Sequence, residues 1–236
     1  MMLASFDIEI ASVFPPSVPD WAEQPNLGIS CAAVALSDPQ EVRIWSNEER
    51  LTKQEAQSLV GELRGMNEAG YSIITWNGCS FDFRILAEES SMSEEVSQLA
   101  LKHIDLMLMV TFSKGWYLGL EKALVGAGLS GKLKSVWLSD GTVLQDMDGS
   151  KVPELWAKGE HDAVLAYLKQ DVKQQLELAQ IVLRRGLISW ISNSGNPQSV
   201  HFSRLLTVEE CFSIPEPDTS WMTDPPSRQQ FVSWMP

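Results

Sequence analysis

The order of hydrophobic patterns along the first third of the chain is its strongest constraint. Residues 3–10, Leu-Ala-Ser-Phe-Asp-Ile-Glu-Ile, read as a buried strand. A continuous apolar run over 27–36 and a short alternating one over 41–45 follow, joined by the turn-forming Ser37-Asp38-Pro39-Gln40. Together they predict three antiparallel strands. Thr52-Lys53-Gln54-Glu55 is a capping box, and Ala56, Leu59, Val60 and Leu63 continue at helical spacing, so a helix is expected over about 52–67. After Gly70, the β-rich run 71–76 stops at Asn77-Gly78, a pair that favours tight turns and positive φ. A strand, a helical crossover and another strand imply that this fourth strand runs parallel to the first.

A second helix is expected from near Ser80, whose hydroxyl could cap it, with Asp82 in its first turn and Phe81, Ile85 and Leu86 available for the core. That topology brings Asp82 near Asp7. Residues 93–103 have a partly acidic helical pattern, and 104–109 form an apolar run around Asp105 that fits either a short strand or a helix. A short helix is expected over 119–124 and a Gly- and Ser-rich loop over 126–150. The clearest helix spans 159–186, with acids near its start, Arg184 and Arg185 near its end and Gly186 as its stop. Residues 11–26, with Pro15, Pro16, Pro19 and Pro25, read as an exposed loop. The last fifty residues, 187–236, carry six prolines, net charge −3 and three tryptophans, Trp190, Trp221 and Trp234. Disordered tails seldom carry so many large rings, so this stretch is expected to wrap the domain in an ordered, extended form.

At 236 residues and 44% hydrophobic content the chain can bury a sizeable core. Its apolar runs are too short to span a bilayer, and no basic leader precedes the first strand; a soluble, cytoplasmic protein with no membrane partner is expected. Cys31, Cys79 and Cys211 are odd in number and scattered, which suits buried small side chains better than disulfides or a zinc site. The formal charge of −13 argues against binding nucleic acid by general attraction. Residues 114–137 are the exception, with Lys114, Lys122, Lys132 and Lys134 against Glu121. With Trp116, Tyr117 and Trp137 they form a small island of cations and flat rings able to hold a phosphate backbone and stack a base; a solvated loop with core aromatics is the alternative.

Strand alternation places Asp7 and Glu9 on one side, with Phe6, Ile8 and Ile10 on the other. Two carboxylates facing one point either repel or share a divalent cation. Solvated acids at a strand end are the plain alternative. Tyr167 and Asp171 lie four apart and so share a face of the long helix; alone they read equally as a core ring and a surface acid.

Taken jointly, Phe6-Asp7-Ile8-Glu9, Asn77-Gly78-x-x-Phe81-Asp82-x-x-x-Leu86 and Tyr167-Leu168-Lys169-Gln170-Asp171 resemble the three motifs of the DEDD exonucleases, the DnaQ-like group that includes the proofreading domain of family-B DNA polymerases. The resemblance covers about residues 3–185. It resembles the tyrosine subclass, because position 166 is Ala and His161 lies ten residues before Asp171. Such enzymes often have Thr or Ser after the first-motif Glu, where Ile10 and Ala11 stand here.

The resemblance implies an α/β, RNase H-like fold with a central mixed five-stranded sheet flanked by helices. It also implies an exonuclease domain over 1–186, followed by an extension over 187–236. The implied activity is 3′–5′ hydrolysis of single-stranded DNA to nucleoside 5′-monophosphates with two Mg²⁺ or Mn²⁺ ions. Asp7, Glu9, Asp82 and Asp171 would be the metal ligands, and Tyr167 would orient the attacking water, its ordinary pKa near 10 being wrong for a base. Asn77 and Phe81, with Lys132 and Lys134 of the basic island, would contact the substrate, a nucleic acid with a free 3′ end. DNA is favoured over RNA; an RNA exonuclease and a catalytically silent binding module of the same fold are the alternatives.

Overall fold

The computed structural model describes residues 1–14 and 24–236. Pro15, Pro16 and Pro19 of the expected loop lie outside them. The central strand is β1 (Met2–Ile10), flanked on one side by antiparallel β2 (Ile29–Ser37) and β3 (Gln40–Ser46). After α1 (Lys53–Glu68), strand β4 (Tyr71–Thr75) pairs parallel to the other side of β1. Helices α2 (Asp82–Ser90) and α3 (Ser93–Lys102) then lead to β5 (Ile104–Asp105), parallel to β4. The result is a mixed sheet of order β3-β2-β1-β4-β5. β2 is buried on both faces, which is why its sequence is continuously apolar and not alternating.

Each face of the sheet has its own core. Phe6, Ile8 and Ile10 of β1 pack with Leu59, Leu63, Phe83 and Leu86 from α1 and α2. The capping box of Thr52 and Glu55 forms as expected and sets the start of α1. The opposite face begins with α4 (Leu106–Lys114), so the run 104–109 is both strand and helix, with Asp105 as the helix N-cap. It continues with α5 (Leu120–Ala127), a two-stranded ribbon of β6 (Ser135–Trp137) and β7 (Val143–Gln145), α6 (Val152–Ala157) and the long α7 (His161–Arg185). Cys31, Ala33 and Ala35 are the β2 side chains in this core, and their small size lets α7 lie close on the sheet. The ribbon replaces part of the loop expected over 126–150; three residues per strand are too few for a period to show in sequence.

α2 also departs from expectation at its start. Phe81, not Ser80, is at the N-cap and makes no side-chain cap, while Ser80 Oγ donates to Asn77 Oδ1 at 2.7 Å. Asn77 has φ of 70°, the positive value expected of an Asn-Gly turn. At Gly78 any Cβ would lie 2.4 Å from the Thr75 hydroxyl, so the turn closes only with glycine.

The C-terminal stretch is ordered but less extended than expected. It contains a hairpin of β8 (Leu187–Ile191) and β9 (Pro197–His201), then α8 (Val208–Cys211) and a 3-10 turn, Arg228–Phe231. β8 lies against α5 so closely that a Cβ on Gly126 would meet the Ser189 carbonyl oxygen at 2.0 Å. Arg228 spreads over the Phe112 ring and donates to the carbonyls of Phe112, Ile214 and Pro215. Phe231 is buried, and Trp234 Nε1 donates to the Cys79 carbonyl at 2.8 Å. The three cysteines are free and buried, as the sequence suggests. Among the described residues, no helix is long and apolar enough to cross a membrane.

Candidate active site

β1 presents Asp7 and Glu9 on the α7 side of the sheet, and α7 returns across it to bring Asp171 to meet them. Ligand oxygens of these three residues lie within 4.8 Å of one another. Gln175, one turn beyond Asp171, fixes this meeting: its Nε2 donates to Ser5 Oγ, Phe6 O and Ile74 O at 2.9, 3.2 and 3.1 Å. One buried amide thus ties α7 to β1 and β4. Gln175 breaks the apolar stripe of α7 at Asp171 plus four, a signal present in the sequence that went unused.

Asp82 arrives differently. The pairing of β1 with β4 ends at Ser5, and beyond it the Ile8 amide donates to Asp82 Oδ1 at 3.0 Å. After burial, the Asp7 carboxyl in turn raises that of Asp82, as a close neighbour of like charge does. Asp82 therefore joins the cluster through Asp7.

Burial, with crowding second to it, governs the charge. Burial first, then Asp171, pushes the Asp7 carboxyl up to about 7. Burial and Asp7 hold Glu9 and Asp82 well above the usual carboxylate range. Burial also raises Asp171, opposed by Lys132, whose Nζ stands 2.6 Å from Asp171 Oδ2 and 5.0 Å from the Tyr167 ring centre. Burial works against the Lys132 charge, yet Asp171, Tyr167 and Asp7 raise its pKa overall. Tyr167 is buried, its hydroxyl pKa raised by burial and then by Asp171.

The other residues picked out by sequence sit around this centre. Asn77 is held by its own turn, its amide donating to Asp105 Oδ1 at 3.0 Å. Phe81 packs partly against the core of the α1 face. Lys134 is 58% exposed and 3.7 Å from Glu121.

The donor set fits a hard divalent cation. All candidate ligands are carboxylates, the type such ions choose. Moreover, the Tyr167 hydroxyl and Asp171 Oδ1 are buried without a hydrogen-bond partner, a rare condition that bound water or an ion would relieve.

A family sequence profile described as the RNase H superfamily matches residues 20–182, more than half of the chain. The chain belongs to the RNase H superfamily. The matched span contains Asp82, Tyr167 and Asp171, while Asp7 and Glu9 precede it. The mixed sheet and its flanking helices are those of an RNase H-like fold. Among solved structures, the chain is similar to product-bound exonuclease I at 12% identity and a TM-score of 0.35, over 78% of this chain and 43% of that one. It thus spans less than half the length of that protein. The search of curated proteins finds no match.

Proposed function

We propose that this RNase H-like protein is a metal-dependent 3′–5′ exonuclease of the tyrosine type, related to the DnaQ-like proofreading domains, releasing nucleoside 5′-monophosphates from single-stranded DNA. The observation that carries the reading is the convergence of Asp7, Glu9 and Asp171 within 4.8 Å, from two elements far apart in sequence. Residues 1–186 form the catalytic domain and 187–236 its extension.

Asp7, Glu9, Asp82 and Asp171 would hold two Mg²⁺ or Mn²⁺ ions. Such ions activate water at neutral pH and neutralise charge on the phosphoryl transition state. Tyr167 orients the attacking water through its hydroxyl, since a phenol whose pKa is raised further makes a poor base. Lys132 is the counter-ion of Asp171 in the metal-free protein. That ammonium and the exposed Lys134 would be the cations that meet phosphate oxygens of the substrate. Asn77 Oδ1 is engaged by Ser80, so its amide nitrogen is the group that meets the end of the strand. Phe81 borders the same turn.

Incubating end-labelled oligonucleotides with Mg²⁺ or Mn²⁺ tests the reading. The expected result is stepwise shortening from the 3′ end that Asp7→Ala abolishes. Absence of shortening, or shortening that survives Asp7→Ala, overturns it. Matched DNA and RNA strands run in parallel decide the substrate.

A further inference from the structure

Beyond the acid cluster, α5 and the C-terminal stretch enclose a cleft of about 730 Å³, whose walls include Trp116, Tyr117, Lys122, Trp190, Gln198 and Trp221. That is within the range of about 300 to 1,000 Å³ that takes a sizeable organic ligand. The rings come from two distant stretches, Trp116 and Tyr117 from the basic island and Trp190 and Trp221 from residues 187–236. Trp116 and the buried Trp190 meet edge to face at 5.4 Å.

Trp221 is 70% exposed, and Tyr117 is half exposed. Their polar groups are already satisfied within the chain: the Trp221 indole donates to the Asp218 carbonyl at 3.1 Å, and the Tyr117 hydroxyl accepts from Gln230. What these rings offer outward is flat apolar surface. Such surface stacks any base and reads none.

One wall residue of the cleft is linked to the acid cluster through Lys132. Glu121 lines the cleft and accepts from the Lys132 amide at 2.6 Å, and the same lysine's Nζ lies 2.6 Å from Asp171. Lys134 Nζ lies 3.7 Å from the same Glu121, so two lysines gather behind that part of the wall. In a chain of net charge −13, Glu121 and Lys122 of the wall belong to a stretch with a positive balance, residues 114–137. Rings beside cations suit an unpaired strand, whose bases have free faces and whose phosphates need neutralising; in a duplex those faces are covered.

We infer that this cleft binds unpaired bases of a single-stranded nucleic acid whose 3′ end enters the acid cluster. The C-terminal stretch is then part of the substrate site and selects for single strands. The inference rests on the nuclease reading for the strand's destination, and the test separates the two.

Fluorescence anisotropy with a labelled twelve-nucleotide oligo-dT, in EDTA so that nothing is cut, compares wild type, Trp221→Ala and Trp221→Phe. Thermal melts check that the exposed side chain leaves the fold intact. Trp221→Ala is expected to weaken binding about tenfold while Trp221→Phe restores most of it. A blunt duplex of the same length should compete poorly. With Mg²⁺, Trp221→Ala should raise KM for the twelve-mer more than for a trinucleotide. Equal binding by wild type and Trp221→Ala overturns the inference and leaves the cleft as a surface for a protein partner. Shortening that proceeds on both substrates without regard to Trp221 retains the nuclease and removes the cleft; Trp221-dependent binding without shortening retains the cleft and removes the nuclease.

Discussion

Asp105 and Asp171 are both buried acids next to the same sheet, and burial raises both carboxyls above their ordinary range. Their surroundings differ. Asp105 accepts from three backbone amides, those of Asn77, Cys79 and Leu108, at 3.0, 3.0 and 3.1 Å. It is a knot in the scaffold, fixing the turn after β4 and capping α4. Asp171 faces Lys132, Tyr167 and two further acids, with Oδ1 unpartnered. Burial alone therefore says little about what an acid does. The number of donors built around it distinguishes a carboxylate that completes the fold from one held open for something else.

Substitution at the two positions should separate these roles. Asp105→Ala leaves three buried amides without an acceptor and is expected to cost about 3 kcal/mol or more of stability in urea unfolding. Asp171→Asn relieves repulsion among the acids but takes the counter-ion from Lys132, effects of opposite sign, so it should destabilise the protein less than Asp105→Ala does. Hydrolysis by Asp171→Asn should nevertheless fall by more than about a hundredfold, since removing even the outer partners of metal ligands costs about 10 to 100-fold. Equal destabilisation by the two substitutions would break the distinction.

The same contrast explains what was legible in the sequence. Asp7, Glu9, Asp82 and Asp171 could be picked out because each sits at a fixed place in a short local pattern, and the strand order that joins them follows from hydrophobic runs. The antiparallel pairing among β1, β2 and β3 and the parallel pairing of β4 with β1 followed from the same runs, whereas the two-residue β5 was too short to be told from a helix. Asp105 could not be assigned its role, because its partners are backbone amides 26 to 28 residues away and in its own helix. Any residue can supply an amide, so no side-chain pattern marks it. Lys132 was visible as one of four island lysines, but its pairing with Asp171 depends on how the loop before β6 folds back. The β6-β7 ribbon and the C-terminal hairpin were missed for a related reason: their strands are three and five residues long, and their contacts are with distant parts of the chain.

The crowded acids also predict a pH dependence with a definite sign. Asp7 titrates near 7 in the folded protein and near 4 when unfolded. Between those values the folded state binds the extra proton, so stability declines as pH rises through the window and the penalty is complete above about 7. Glu9 and Asp82 are raised as well and act in the same direction. His103 acts oppositely: buried and lowered to about 3, it favours the folded state fully above about 6.5 and loses that contribution as pH falls. Comparing Asp7→Asn with wild type in metal-free buffer cancels the His103 contribution. The substitution should raise Tm more at pH 8 than at pH 5. Mg²⁺ should likewise raise the wild-type Tm more at pH 8, where protons no longer compete for the ligands. A Tm difference that is the same at both pH values would show that folding does not raise the Asp7 carboxyl.

The smallest effect belongs to Tyr167, which tests whether an unpartnered buried group matters for folding or for chemistry. Its hydroxyl meets no hydrogen-bond partner in the metal-free protein, so Tyr167→Phe removes an unsatisfied polar atom and leaves the ring packing in place. Stability should stay the same or rise by up to about 1 kcal/mol. Hydrolysis should slow about tenfold, in kcat and not in KM, as expected when the hydroxyl orients the attacking water in the transition state. Because burial and Asp171 raise its pKa, the phenol stays protonated throughout the working range, and the pH profile of Tyr167→Phe should run parallel to that of wild type. An altered profile would make the tyrosine a proton carrier. A loss as deep as that of Asp171→Asn would place its hydroxyl among the ligands themselves.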